Sequence, residues 1–139
     1  FVAVMGGETA MGGKEVVVLM EKRAGEAATF EYRLLATNRT STLQKELQEA
    51  ADAGFVAVGQ TVFESLFGGK ETASILQRKS GVPRTERYDY KLVATSKTST
   101  LQKELQQAAE QGYEAIGMTV GSTAFGGAEL VVITRKSLK

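Results

Sequence analysis

Thr40-Ser41-Thr42-Leu43-Gln44-Lys45-Glu46-Leu47-Gln48 decides the reading of this chain, because the same nine residues return as Thr98 to Gln106. Outward from that block, residues 30–69 align without a gap on residues 88–127, and 23 of the 40 positions are identical. Self-similarity at one fixed spacing, here 58 residues, is the signature of a repeat architecture. Shorter echoes reach the N-terminus. Phe1-Val2-Ala3-Val4 returns as Phe55-Val56-Ala57-Val58, and Gly12-Gly13-Lys14-Glu15 returns as Gly68-Gly69-Lys70-Glu71. Residues 1–23 therefore read as the back half of a unit whose front half is missing. Phe1, in place of an initiator Met, reads as a processing site or a fragment boundary.

Each complete unit reads strand, helix, strand, strand. Phe30, Tyr32, Leu34 and Ala36 alternate with Glu31 and Arg33, and Tyr88, Tyr90, Leu92 and Ala94 alternate with Asp89 and Lys91. Both tyrosines, Tyr32 and Tyr90, fall on the apolar side and read as core. Ser41 with Gln44, and Ser99 with Gln102, have the spacing of a capping box at a helix start. Leu43, Leu47, Ala50 and Ala51 follow at the i, i+4, i+7, i+8 spacing of an apolar helical stripe. Gly54 and Gly112 stand where a left-handed residue ends a helix. Beyond each cap, two strands flank a glycine pair suited to a hairpin turn. The second of them is continuously apolar, as in Val16 to Met20 and Leu130 to Ile133, which is usual for a strand covered on both faces. Pro83 marks a linker. The expected fold is α+β, with tandem β-α-β-β repeats, mainly antiparallel sheets and one helix per complete unit lying on one sheet face. The expected boundaries are 1–25 for a first unit truncated to its hairpin, and 26–81 and 82–139 for two complete units.

Composition narrows the chemistry. The 139 residues hold no Cys and no His, which excludes thiolate nucleophiles, disulfides, zinc fingers and imidazole general bases. Seventeen basic against sixteen acidic residues leave a net charge of +1, giving no broad attraction for nucleic acid or an anionic membrane surface. No apolar run approaches the ~20 residues that span a bilayer. A chain of this size buries roughly two thirds of its unfolded surface, enough for a real core.

The strand opened by Tyr88-x-Tyr90-x-Leu92, the helix with Leu101 and Leu105 ending in Gly112-Tyr113, and the last strand closing on Arg135-Lys136 resemble the bacterial domain-of-unknown-function family 4177. Tyr32, Leu43, Leu47, Gly54, Phe55 and Arg78-Lys79 carry the same pattern earlier. The Thr-Ser-Thr-Leu-Gln-Lys-Glu block is also similar to tandem-repeat bacterial proteins that often bear export signals. The resemblance implies a small β-α-β-β domain and an exported location, periplasmic or extracellular. It implies no catalytic residue.

Four groups of residues are weighed for function. Gly13-Lys14 lacks the earlier glycine and the following Ser or Thr of a phosphate loop, so a hairpin turn accounts for it. Arg39-Thr40-Ser41-Thr42 and Lys97-Thr98-Ser99-Thr100 place hydroxyls, free amides and a cation at a helix N-terminus, the makings of an anion pocket, although capping alone explains the serines. Met11, Phe67 and Phe125 recur just before the glycine pairs, where they either anchor a partner or fold back over their own unit. Glu46 and Glu49 are a carboxylate pair on a polar helix face, and with Lys45 beside them they read as surface chemistry. The expectation is a non-enzymatic structural or protein-interaction module that self-associates as a homo-oligomer, without cofactor or metal. The alternative is a small-molecule or anion-binding module using the cleft between repeats or the helix N-termini.

Overall fold

The computed structural model describes residues 1–8, 12–25, 27–64, 69–82, 86–122 and 128–138. Its elements run in the order β1 (Ala3–Glu8), β2 (Lys14–Leu19), β3 (Phe30–Thr37), α1 (Thr40–Asp52), β4 (Val56–Glu64), β5 (Lys70–Lys79), β6 (Arg87–Thr95), α2 (Thr98–Glu110), β7 (Glu114–Ser122) and β8 (Ala128–Leu138). The class is α+β, with the described strands forming three antiparallel sheets. One is the hairpin β1-β2, and the others have the orders β3-β5-β4 and β6-β8-β7. Strands β5 and β8 are central and most buried, whereas the apolar run Val16 to Met20, expected to be covered on both faces, lies in the two-stranded hairpin with Val17, Val18, Leu19 and Met20 exposed. Pro83 and the turn residues Met11, Phe67 and Phe125 lie outside the described residues.

Both helices stop as their sequences dictate. Gly54 and Gly112 each take φ +86°, and Phe55 N–H and Tyr113 N–H reach back to the carbonyls of Ala50 and Ala108. These are paired Schellman closures. The starts differ from expectation. Arg39 and Lys97 occupy the N-cap positions, and neither helix has a side-chain cap. Ser41 and Ser99 lie one residue inside the first turn and are exposed. Thr37 Oγ1 and Thr95 Oγ1 instead accept the N–H of Arg39 and Lys97, both at 3.2 Å, and tighten the turn into each helix.

The layering also goes beyond the expected helix on one face of its own sheet. Leu43, Leu47, Ala50 and Ala51 of α1 are buried together with Leu76 and Ala57 of the β3-β5-β4 sheet. The same cluster takes in Tyr90 and Ile133 of the β6-β8-β7 sheet. Helix α1 is thus a shared filling between two sheets. Helix α2 covers the far face of the second sheet through Leu101, with Val93 and Val132 beneath it. On the other flank, β1 lies against β4, and β4 against β7. Glycines make those approaches close. A Cβ on Gly6 would come within 2.2 Å of the Val62 carbonyl oxygen, and one on Gly117 within 2.8 Å of Gln60 Oε1.

Because Leu47 is fully buried between two sheets, Leu47→Ala should remove about 2–5 kcal/mol of stability. Leu105, at the equivalent place on α2, is only half-buried, and Leu105→Ala should cost less. Urea unfolding of the two variants checks the order, and a single cooperative transition checks that the sheets share one core.

Candidate functional site

The free edge of β6 shows how this chain treats an open strand. In the order β6-β8-β7, one side of β6 has no neighbouring strand. Two glutamines of α1 occupy it. Gln44 Nε2 donates to the Tyr90 carbonyl at 2.6 Å, while its Oε1 accepts the Leu92 N–H at 2.6 Å. One turn later, Gln48 Nε2 donates to the Tyr88 carbonyl at 3.4 Å, and its Oε1 accepts the Tyr90 N–H at 3.1 Å. Each side-chain amide bridges a carbonyl and the N–H two residues on, as a neighbouring strand would. Gln44 is therefore engaged across the sheet edge and not in a capping box.

The Tyr90 ring is buried under α1, at 2% exposure, and its hydroxyl oxygen accepts the Ala57 N–H at 2.9 Å. This hydroxyl ties β6 to β4, whose side facing away from β5 has no strand partner of its own. Burial pushes the Tyr90 hydroxyl above its ordinary pKa. Tyr88 and Tyr113 are also raised, chiefly because they donate to the carboxylates of Glu86 and Asp89. Farther along β4, Gln60 Nε2 donates to Thr119 Oγ1 at 2.8 Å, joining it to β7.

Positions 58 residues earlier have the opposite fate. Phe30, Tyr32 and Leu34 match Tyr88, Tyr90 and Leu92 in sequence and in register with their central strands. Yet Tyr32 is 41% exposed and Leu34 57% exposed, because no helix covers β3 on that side. The expectation that Tyr32 is a core residue is corrected here. Gln102 and Gln106, the equivalents of Gln44 and Gln48, are exposed on α2. Ala109 is likewise exposed, whereas Ala51 is buried. An open hollow of about 520 Å³ lies beside β3, lined by Phe1, Arg23, Phe30, Tyr32 and Gln77 among others.

At the helix starts, Arg39 and Thr40 line a cavity of about 10 Å³ with Lys70, Thr72 and Glu129. That is room for roughly one water, and the Glu129 carboxylate opposes an anion there. Ser41 and Thr42 do not line it. Lys97, Thr98 and Ser99 are exposed and Thr100 half-buried at the start of α2. Glu49 pairs with Lys45 at 3.7 Å on the solvated face, as its spacing suggests. No cluster of acidic side chains suited to a metal is present among the described residues, and none of their helices is long and apolar enough to cross a membrane. No protein-family model matches the chain, and no curated protein or solved structure is significantly similar to it.

Two predictions follow from the glutamine edge and from Tyr90. The Tyr90 and Leu92 amides should exchange with solvent far more slowly than the Tyr32 and Leu34 amides. Replacing Gln44 and Gln48 together by Ala should erase that difference and cost about 1–3 kcal/mol, while the Gln102→Ala, Gln106→Ala pair should stay within about 0.5 kcal/mol. The folded protein also holds the Tyr90 proton more tightly than the unfolded chain does. That contribution is intact below about pH 10 and is lost as the pH rises through the folded value. Denaturant titrations across that range should show a shallower alkaline loss in Tyr90→Phe, which starts about 1 kcal/mol lower at neutral pH for want of the Ala57 hydrogen bond.

Proposed function

We propose that this chain is a non-enzymatic protein-interaction module built of tandem β-α-β-β repeats, and that it self-associates through strand surfaces its own helices leave open. One observation carries the reading. The apolar row Phe30, Tyr32 and Leu34 is exposed on β3, where the equivalent row Tyr88, Tyr90 and Leu92 on β6 is covered by α1. Exposed apolar rows on an edge strand are templates for pairing with another chain. The hairpin adds Met5, Val17 and Leu19, and β7 adds Met118 and Val120 at the opposite end of the strand series.

The two ends are different surfaces, so contact between them is head-to-tail and not two-fold. Burying one Leu-sized side chain contributes roughly 1.5–3 kcal/mol, and several such residues are present at each end. The reading asks nothing of a nucleophile or an acid–base group, in keeping with a sequence free of His and Cys. Membership of family 4177 and an exported location belong to the same proposal and are supported by the sequence pattern. The anion-binding alternative has less support, since the cavity beside Arg39 holds about one water.

Light scattering across a concentration series tests the self-association. The mass should climb above the 14.9 kDa of one chain, and Leu34→Glu should return it toward that value. A mass fixed at one chain at every concentration would sink the self-association reading.

A further inference from the structure

We infer that the outward face of β7 in one copy packs on the outward face of the β1-β2 hairpin in the next, by the same step that stacks the sheets within one chain. The inference rests on the self-association reading above and names its joint. Within the chain the step is taken twice. A Cβ on Gly59 of β4 would come within 2.9 Å of Val4 Cγ1 on β1, and one on Gly117 of β7 within 2.8 Å of Gln60 Oε1 on β4. Val4, Gln60 and Met118 share one register position, opposite the repeat-equivalent residues Val18, Ser74 and Val132. Ala3, Gly59 and Gly117 share another, opposite Leu19, Ile75 and Ile133. Each internal step thus sets a residue of the first position on a glycine of the second. A third step sets Met118 on the small Ala3 of another copy.

Strand alternation fixes which faces are free. On β7, Gly117 and Thr119 meet Gln60, so Met118 and Val120 point away from β4. On β1, Val4 and Gly6 meet β4, so Ala3 and Met5 point away from it, with Leu19 and Val17 opposite them on β2. The two free faces match in chemistry. Where Gln60 donates to Thr119 in the internal step, the corresponding residues of the free faces are Met118 and Met5. A polar pair is therefore replaced by an apolar one on both halves at once, and methionine adapts readily to an irregular apolar partner. Met5, Val17, Leu19, Met118 and Val120 are each more than half exposed. One chain carries both halves, so a second copy is the occupant that each half fits. The β3 row borders the same hairpin across the hollow lined by Phe1 and Tyr32, so it flanks this joint and does not compete with it. A contact between unlike faces repeats as a ring or an open series, not as an isolated two-fold pair.

Met5→Glu and Met118→Glu each place a charge in one half of the joint. Both side chains are mostly exposed, so the far-ultraviolet circular dichroism should not change. By light scattering, each variant alone should need at least about tenfold more protein than the unaltered chain before its mass exceeds that of one chain. An equimolar mixture tests the polarity of the joint. There the β7 face of the Met5→Glu chain and the hairpin face of the Met118→Glu chain are intact, so association should resume and stop at two chains. Methyl resonances of Met118 in one chain and Met5 in the other should then show a nuclear Overhauser contact. A mixture that stays at one chain overturns the inference, and so do variants that associate as the unaltered chain does. If Leu34→Glu still lowers the mass in that last case, self-association stands through the β3 row and only this joint falls. A mass fixed at one chain for the unaltered protein removes both.

Discussion

An edge strand must have its N–H and C=O groups satisfied, and on β6 two glutamine side chains do it in place of a strand. The geometry works because two periods nearly agree. Four residues of α-helix rise about 6 Å, and two residues of strand rise about 6.6–6.8 Å. Glutamines at i and i+4 therefore meet successive outward-facing groups of one strand, running antiparallel to it, as Gln44 and Gln48 do along Leu92 to Tyr88. Helix α1 is consequently fixed to a sheet that follows it in sequence. Its leucines then have apolar surface on two sides, and one buried cluster spans both three-stranded sheets. For a chain with only two described helices, that sharing is what makes the core large enough.

The flank of the molecule depends on a second economy of space. Strands β1, β4 and β7 follow one another at close range, and the residues that permit it are small. Gly6 sits against the Val62 backbone and Gly117 against Gln60. Both β4 and β7 carry an irregularity one residue ahead of Gly59 and Gly117, between Ala57 and Gly59 and between Ala115 and Gly117. Such bulges strengthen twist and re-aim side chains, which turns each strand toward its neighbour in the series. Side chains then finish the contact, with Gly6 N–H donating to Thr61 Oγ1 at 2.9 Å and Gln60 to Thr119 Oγ1 at 2.8 Å. Equivalent threonines thus receive from consecutive strands.

The sequence was most legible where a local rule leaves one choice. Gly54 and Gly112 end their helices through positive φ, and the apolar run Leu130 to Ile133 lies on the central strand β8, although the longer run Val16 to Met20 lies exposed in a hairpin. The helix starts were misread because Ser-x-x-Gln satisfies a capping rule on paper. The same Gln44 amide reaches a strand 46 residues away, and no local rule registers that competitor. The α1 stripe of Leu43, Leu47, Ala50 and Ala51 gave the helix its buried face. It carried no sign that the neighbouring Gln44-x-x-x-Gln48 row faces a second sheet. Beside Arg39 at the start of α1, Glu129 arrives from β8 and sets a carboxylate against the cations Arg39 and Lys70.

Tyr32 and Tyr90 explain why exposure could not be read at all. They share type, strand position, register and flanking apolar residues, yet one is open and the other buried. Burial of the pair therefore follows from what packs on each strand, α1 on β6 in the case of Tyr90, and not from the strand's own motif. Natural edges are usually blunted by charge, and β3 does carry Glu31 and Arg33. Those charges face away from the Tyr32 row. Arg33 stacks on the Phe55 ring at 4.5 Å, and Glu31 pairs with Arg78, so both serve the sheet's own helix side. On the row's own side the Phe1 ammonium donates to the Tyr32 hydroxyl at 3.4 Å, and Glu21, Lys22 and Arg23 line the hollow beside Phe30 and Tyr32.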